Sequence, residues 1–137
     1  LKSVRTNAPW LHRWMGRIYV AACLFGGLSG GAIAMYASSG PIAGAGFFAL
    51  AIHWLFTTGR ALWAVLHRNF AAHERWMIRS FALTLAAVTL RIYMPIGVTL
   101  NQGEFTLPYT IIAWACWVPN LITAEIFLAL RARRSPT

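Results

Sequence analysis

Four stretches of this chain, at about residues 15–36, 42–66, 76–95 and 106–130, are apolar and carry no more than two charged residues each. A helix needs roughly 20 apolar residues to cross a hydrocarbon core of about 30 Å, so each stretch is long enough to do so. Of the 137 residues, 58% are hydrophobic and only 11% are charged, against roughly 25% charged in soluble domains. Lipid is therefore the expected solvent. In hydrocarbon a segment has to satisfy its own backbone N–H and C=O groups. The expected fold is all-α: a polytopic transmembrane bundle of four helices, in a single integral membrane domain over residues 1–137.

The connections, Ala37–Pro41, His67–Glu74 and Ile96–Phe105, leave no room for a soluble domain or a flexible linker. The first run is too long for a secretory signal, lacks a small-residue cleavage end and is followed by further spans. Because Leu1 is not a methionine, an N-terminally incomplete sequence is expected.

A net charge of +9 raises nucleic acid as a partner, and the placement of the charges argues against it. Lys2, Arg5, Arg13, Arg17, Arg60, Arg68, Arg75, Arg79, Arg131, Arg133 and Arg134 fall at one set of helix ends, leaving only Arg91 of the twelve Lys and Arg near the other. That is the positive-inside pattern. It implies cytoplasmic termini and a cytoplasmic "HRNFAAHE" loop, in a multi-pass protein of a bacterial-type inner membrane. Nucleic-acid binding needs a basic surface on a folded domain, and no segment supplies one. Membrane lipids and other membrane protein subunits are the expected partners, each basic residue near an anionic surface contributing about 1 kcal/mol.

"RWMGR" at Arg13–Arg17 returns as "RWMIR" at Arg75–Arg79, with His12 and His73 just upstream. Trp14 and Trp76 suit the headgroup level as anchors, and Arg17 and Arg79 lie one turn deeper. Two origins fit: a parallel two-helix internal repeat, or two interfacial helix starts that converged. Further along the first helix, Gly26 and Gly30, and Gly27 and Gly31, stand four apart in "FGGLSGGA", a spacing that admits a neighbouring helix closely. Pro119 predicts a kink near Ala115 and Cys116, since it removes a backbone donor. Cys23 and Cys116 fall at unlike depths, so two free thiols are expected.

The ionisable residues within the spans carry the functional signal. His53, Thr57, Arg60 and His67 form one polar stripe on the second helix at 100° per residue. Arg17, Arg60 and Arg79 reach a level similar to that of Glu125, the one acidic residue inside a span. A structural reading pairs Glu125 with an arginine, Arg79 first and Arg60 second, while the other arginines snorkel. A ligand reading makes Arg13, Arg17, Arg60, Arg75 and Arg79 a layer for an anionic lipid or ligand, because the guanidiniums outnumber the carboxylate.

Haem b needs two imidazoles on opposite faces of the macrocycle. No histidine on another helix matches the depth of His53, near Leu24–Gly27, Val88 and Val118. His12, His67 and His73 share a height at the basic interface and are the weak candidates for haem or a metal, although His-x-x-x-His spacing is absent. No cofactor is expected. Ser29, Ser38, Ser39 and Ser80 have no base in a strand-turn-helix setting, so an enzyme is the less favoured class.

"LHRWMGRIYV", "HWLFTTGRALWAVLHRNFAAHERWMIRSFALTLAAVTLRIYMP" and "AWACWVPNLITAEIFL" resemble the bacterial predicted membrane proteins grouped as domain of unknown function 2306. The resemblance covers about residues 9–128, and "HERWMIRSFALTLAAVTLRIYMP" is its most specific part. Members usually carry further hydrophobic sequence before the "HRWMG" phrase, as an incomplete N-terminus here would explain. The resemblance implies the architecture and no reaction. Two functional expectations stand: an accessory or scaffold subunit of a larger, energy-converting membrane assembly, and a small redox or transport protein using the second-helix stripe with haem, quinone or proton.

Overall fold

The computed structural model describes residues 8–37 and 40–134. Lys2, Arg5, Ser38 and Ser39 lie outside them. The described residues form six helices: α1 (Pro9–Ala34), α2 (Pro41–Leu66), α3 (Phe70–Thr84), α4 (Ala86–Leu100), α5 (Thr106–Ala115) and α6 (Val118–Arg133). Joined across Leu85, α3 and α4 make one span, Phe70–Leu100; α5 and α6 make another, Thr106–Arg133. With α1 and α2, the described residues hold four helices long and apolar enough to cross a membrane.

The helices outrun the apolar runs that announce them. The first span starts at Pro9 instead of about residue 15, with proline at the head of the helix, where its missing N–H costs nothing. Hydropathy marks where a helix meets lipid, whereas "WLHRWMGR" is polar enough for the interface and still helical. The His67–Glu74 connection likewise shrinks to three residues. Arg68 takes a left-handed φ of 58°, and the Asn69 N–H reaches back to the Ala64 carbonyl at 2.9 Å, closing α2 with the paired reverse bonds of a Schellman end. The Asn69 side chain then accepts from the Ala72 N–H at 3.0 Å, capping α3 directly.

Two spans are interrupted, for different reasons. Pro119 cannot donate to the Ala115 carbonyl, and helix geometry lapses at Cys116–Trp117 between α5 and α6. At Leu85 no proline is involved. The Thr84 hydroxyl donates to the Ser80 carbonyl at 3.0 Å, a side-chain bond that competes with the backbone ladder and bends helices.

Packing relies on small residues, because between helices in lipid there is no hydrophobic gain to exploit. Helix α2 is central: it packs along α1 and α3 and against α5, while α6 leans on α3. On the α1 side, a Cβ at Gly27 would lie 2.6 Å from the Leu55 side chain, and one at Gly31 would touch Ala51. On the α5 side, Gly46 abuts the Ala113 carbonyl, and the Trp114 indole donates to the Ile42 carbonyl at 3.2 Å. Leu83, Ala86, Ile112, Cys116 and Trp117 form the apolar core between the third and fourth spans. Both cysteines are buried free thiols.

A polar knot ties the first three spans. Ser80, fully buried on α3, shares hydrogen bonds with Thr58 of α2 at 2.7 Å and with Tyr19 of α1 at 2.8 Å. Tyr19 also bonds Thr84 at 2.8 Å, and the Trp54 indole donates to that same hydroxyl at 3.0 Å. Ser80→Ala would strip one partner from both Tyr19 and Thr58. We expect it to destabilise the detergent-solubilised protein by about 1 kcal/mol, within the range of interhelical hydrogen bonds in membranes. Thr123→Ala, which removes only a bond to its own helix, should leave the melting temperature unchanged.

Candidate functional site: guanidiniums and indoles at the basic end

The ends of α2 and α6 and the starts of α1 and α3 share one end of the bundle, where most of the arginines lie. Trp76 is the centre of this site. Its position on α3, facing α2, sets its ring perpendicular to that of Phe56, with the centroids 5.6 Å apart. The Arg79 guanidinium stands 4.8 Å from its centroid and that of Arg60, arriving from α2, 5.4 Å. Arg60 also lies 5.2 Å from the ring of Trp63, one turn along its own helix. The negative face of an indole attracts a cation by about 0.5–1 kcal/mol when exposed and about 2 when desolvated. One ring thus gathers two positive charges that would otherwise repel.

Among the described residues only one of the two is matched by a carboxylate. Arg79 Nε and Nη2 donate to the two oxygens of Glu125 at 2.5 and 2.8 Å, the parallel two-bond geometry suited to a guanidinium and a carboxylate. Arg79, rather than Arg60, reaches Glu125 because α6 leans on α3 below the Pro119 break. A second pair, Arg131 to Glu74 at 2.7 Å, joins the same two helices nearer their ends. At the basic end α6 is therefore tied to α3 by ions, whereas α1 is tied to α3 by hydroxyls.

The first copy of the phrase repeats the local contact and nothing more. Arg17 lies over Trp14 at 5.4 Å, three residues apart as Arg79 and Trp76 are. Yet Trp14 is 55% exposed and, among the described residues, gains no arginine from another helix. Arg13 and Arg75 are exposed.

The second-helix stripe does not form one continuous polar face. Thr57 is buried and donates to the His53 carbonyl at 2.9 Å. His53 and His67 are exposed, each with Nδ1 on a carbonyl four residues back in its own helix, Ala49 and Trp63 respectively. The His53 ring lies 5.5 Å from the buried Trp117 indole. His73 does more: its Nδ1 bridges to the Ala61 carbonyl of α2 at 2.8 Å, locking α3 to α2. His12 is half-buried. Among the described residues, no three His, Cys, Asp or Glu side chains gather as a metal site.

The four glycines divide. Gly27 and Gly31 are buried against α2, and Gly26 meets the Trp54 ring, whereas Gly30 faces open space. Gly26 and Gly30 line an open cavity of about 380 Å³ between α1 and α4, with Leu50, Trp54, Leu90 and Tyr109. Sequence reasoning overlooked Tyr19, Thr58 and Thr84. A lone tyrosine, threonine or serine in an apolar run has no signature until the partner helix is placed.

An unpaired charge at a helix centre costs about 2.5–3.5 kcal/mol on insertion scales, and less toward the interface. Glu125→Gln and Arg79→Gln should each lower the melting temperature. Their double mutant should lose little more than either single mutant, because the pair acts as a unit. Strict additivity in this cycle would show that the contact contributes nothing.

No curated protein and no solved structure shows significant similarity to the chain. The family model for the predicted membrane proteins called DUF2306 matches residues 1–128, which takes in all four spans as far as the last turns of α6. With that match, and the four spans it covers, the chain belongs to the DUF2306 family of predicted membrane proteins.

Proposed function

We propose that the protein is a scaffold or accessory subunit that receives a membrane helix of another protein in the crevice between α1 and α4. The open cavity lined by Gly26 and Gly30 carries this reading. Small residues four apart let helix backbones approach closely; Gly27 and Gly31 spend that capacity on α2, and Gly30 does not. A partner helix seated there would cover Leu90 and Tyr109 and stiffen α1 against the rest of the bundle.

The redox alternative rests on His53, whose Nδ1 is engaged by Ala49, leaving Nε2 as the nitrogen available to a haem iron or a quinone. Its ring neighbour is an indole, which offers no second axial ligand, and this favours the scaffold reading.

Purification from native membranes in mild detergent, with mass spectrometry of the co-purifying proteins and a visible spectrum, separates the two. Gly30→Leu should abolish recovery of a partner found with the wild type while leaving the melting temperature unaltered, since a Cβ there meets nothing within 4 Å. Gly27→Leu should disrupt the fold itself. An unchanged partner set in Gly30→Leu would remove the crevice as the interface. A Soret band lost in His53→Ala would decide for the redox protein.

We further infer a bacterial inner membrane with the basic end in the cytoplasm, from the gathering of arginines there. Cysteine introduced at Gln102, on the turn between α4 and α5, should react with an impermeant thiol reagent in intact spheroplasts, and cysteine at Asn69 should not. The opposite labelling would invert the orientation.

A further inference from the structure

Arg60 lies six residues before the end of α2, about 9 Å inside the helix at 1.5 Å per residue. Its guanidinium is exposed and stacks on Trp63 and Trp76. Face contacts with rings use none of the five N–H donors of an arginine. Among the described residues no carboxylate or carbonyl accepts from them; the carboxylate of the cluster, Glu125, is taken at both oxygens by Arg79.

The indoles around Arg60 are in the same condition. Trp54, Trp114 and Trp117 each donate their ring N–H to an oxygen of the protein. Trp63 and Trp76 have no such acceptor among the described residues. The surroundings of Arg60 are therefore rich in donors and poor in acceptors, with one uncompensated positive charge. They lie at the depth where a helix end meets the polar layer of the membrane.

The chemistry that satisfies such a place is a phosphate: negative, all acceptor, and matched to the planar fork of a guanidinium. Its source at this depth is the bilayer. The flat ring faces beside Arg60 and the exposed apolar side chain of Phe56 one turn deeper suit the start of an acyl chain. We propose that Arg60, framed by Trp63 and Trp76, binds the headgroup phosphate of an anionic phospholipid, while the Arg79–Glu125 pair beside it is already neutral and only shapes the site. The proposal is independent of the subunit reading, because the α1–α4 crevice lies toward the other end of the bundle.

The test uses the full chain in neutral detergent, titrated with phosphatidylglycerol and followed by native mass spectrometry and melting temperature. Wild-type protein should retain the lipid and gain thermal stability. Arg60→Gln should bind about tenfold more weakly, as loss of a charge-assisted contact implies. Arg60→Lys, which keeps the charge and loses the fork, should fall between them, and it serves as the reading should Arg60→Gln fail to fold. Arg91→Gln, at the opposite end of its span, should bind as the wild type does. Phosphatidylcholine should bind more weakly than phosphatidylglycerol, and inorganic phosphate at millimolar concentration should not compete. The proposal is overturned if Arg60→Gln and Arg60→Lys both retain wild-type affinity, if Arg91→Gln loses as much, or if phosphatidylcholine binds equally well. Full competition by inorganic phosphate would overturn the lipid as ligand and assign the site to a small soluble anion.

Discussion

The Ser80 hydroxyl, buried where α1, α2 and α3 meet, is the contact on which the arrangement of the first three spans depends. In lipid the outside of a helix is as apolar as the space between helices, so close packing and hydrogen bonds are what hold helices together. Gly27 and Gly31 let α1 lie against α2, but those contacts alone would tolerate sliding. Tyr19, reaching across to Ser80 and Thr84, fixes the register of α1 against α3, a helix it otherwise barely touches. The same Thr84 that completes the knot bonds the Ser80 carbonyl, just before helix geometry lapses at Leu85. Among the described residues α1 and α4 do not pack along one another, and the crevice between them is open.

On the opposite side of the α2–α3 pair the fastening is ionic. Break the fourth span at Cys116–Trp117, and its two halves are free to choose different neighbours: α5 takes α2, and α6 takes α3. Trp114 and Gly46 secure the first half. Arg79–Glu125 and Arg131–Glu74 secure the second, and nearer the break the Asn120 side chain donates to Thr89 of α4. Because α6 turns toward α3, Arg60 on α2 is left without the carboxylate that its depth suggests it could share.

What the sequence revealed follows from what each signal measures. Apolar run length counts residues that must sit in hydrocarbon, so four spans were legible, and Pro119 marked its own break. The same signal missed the first turns of α1 and α3, whose Arg, Trp and His residues are polar enough for the interface and helical all the same. Arg79 and Glu125 could be named together because charges at matched depth are scarce in a span, and scarcity makes partners identifiable. Tyr19, Thr58 and Thr84 carry neutral hydroxyls whose presence in an apolar run names no partner: a threonine can bond its own helix backbone, and a tyrosine is as much at home at the membrane interface. Only the three-dimensional approach of α1 to α3 distinguishes the Thr84 hydroxyl, which serves three partners, from Thr123, which serves one.

The twice-written basic phrase shows how one local solution acquires two roles from its surroundings. An arginine three residues after a tryptophan on a helix stacks on it, whatever the helix, and both copies do this. At Trp14 the ring is 55% exposed and, among the described residues, Arg17 is the cation over it. At Trp76 the neighbouring α2 contributes Phe56 and Arg60, and α6 contributes Glu125. The difference is position in the bundle: α1 stands at its margin, while α3 is flanked by α2 and α6. A second guanidinium is tolerable beside Trp76 because the ring attracts it and Glu125 neutralises the first. With one charge cancelled by Glu125 and the other held against two indoles, the interior copy of the phrase joins three helices where the marginal copy stays within one.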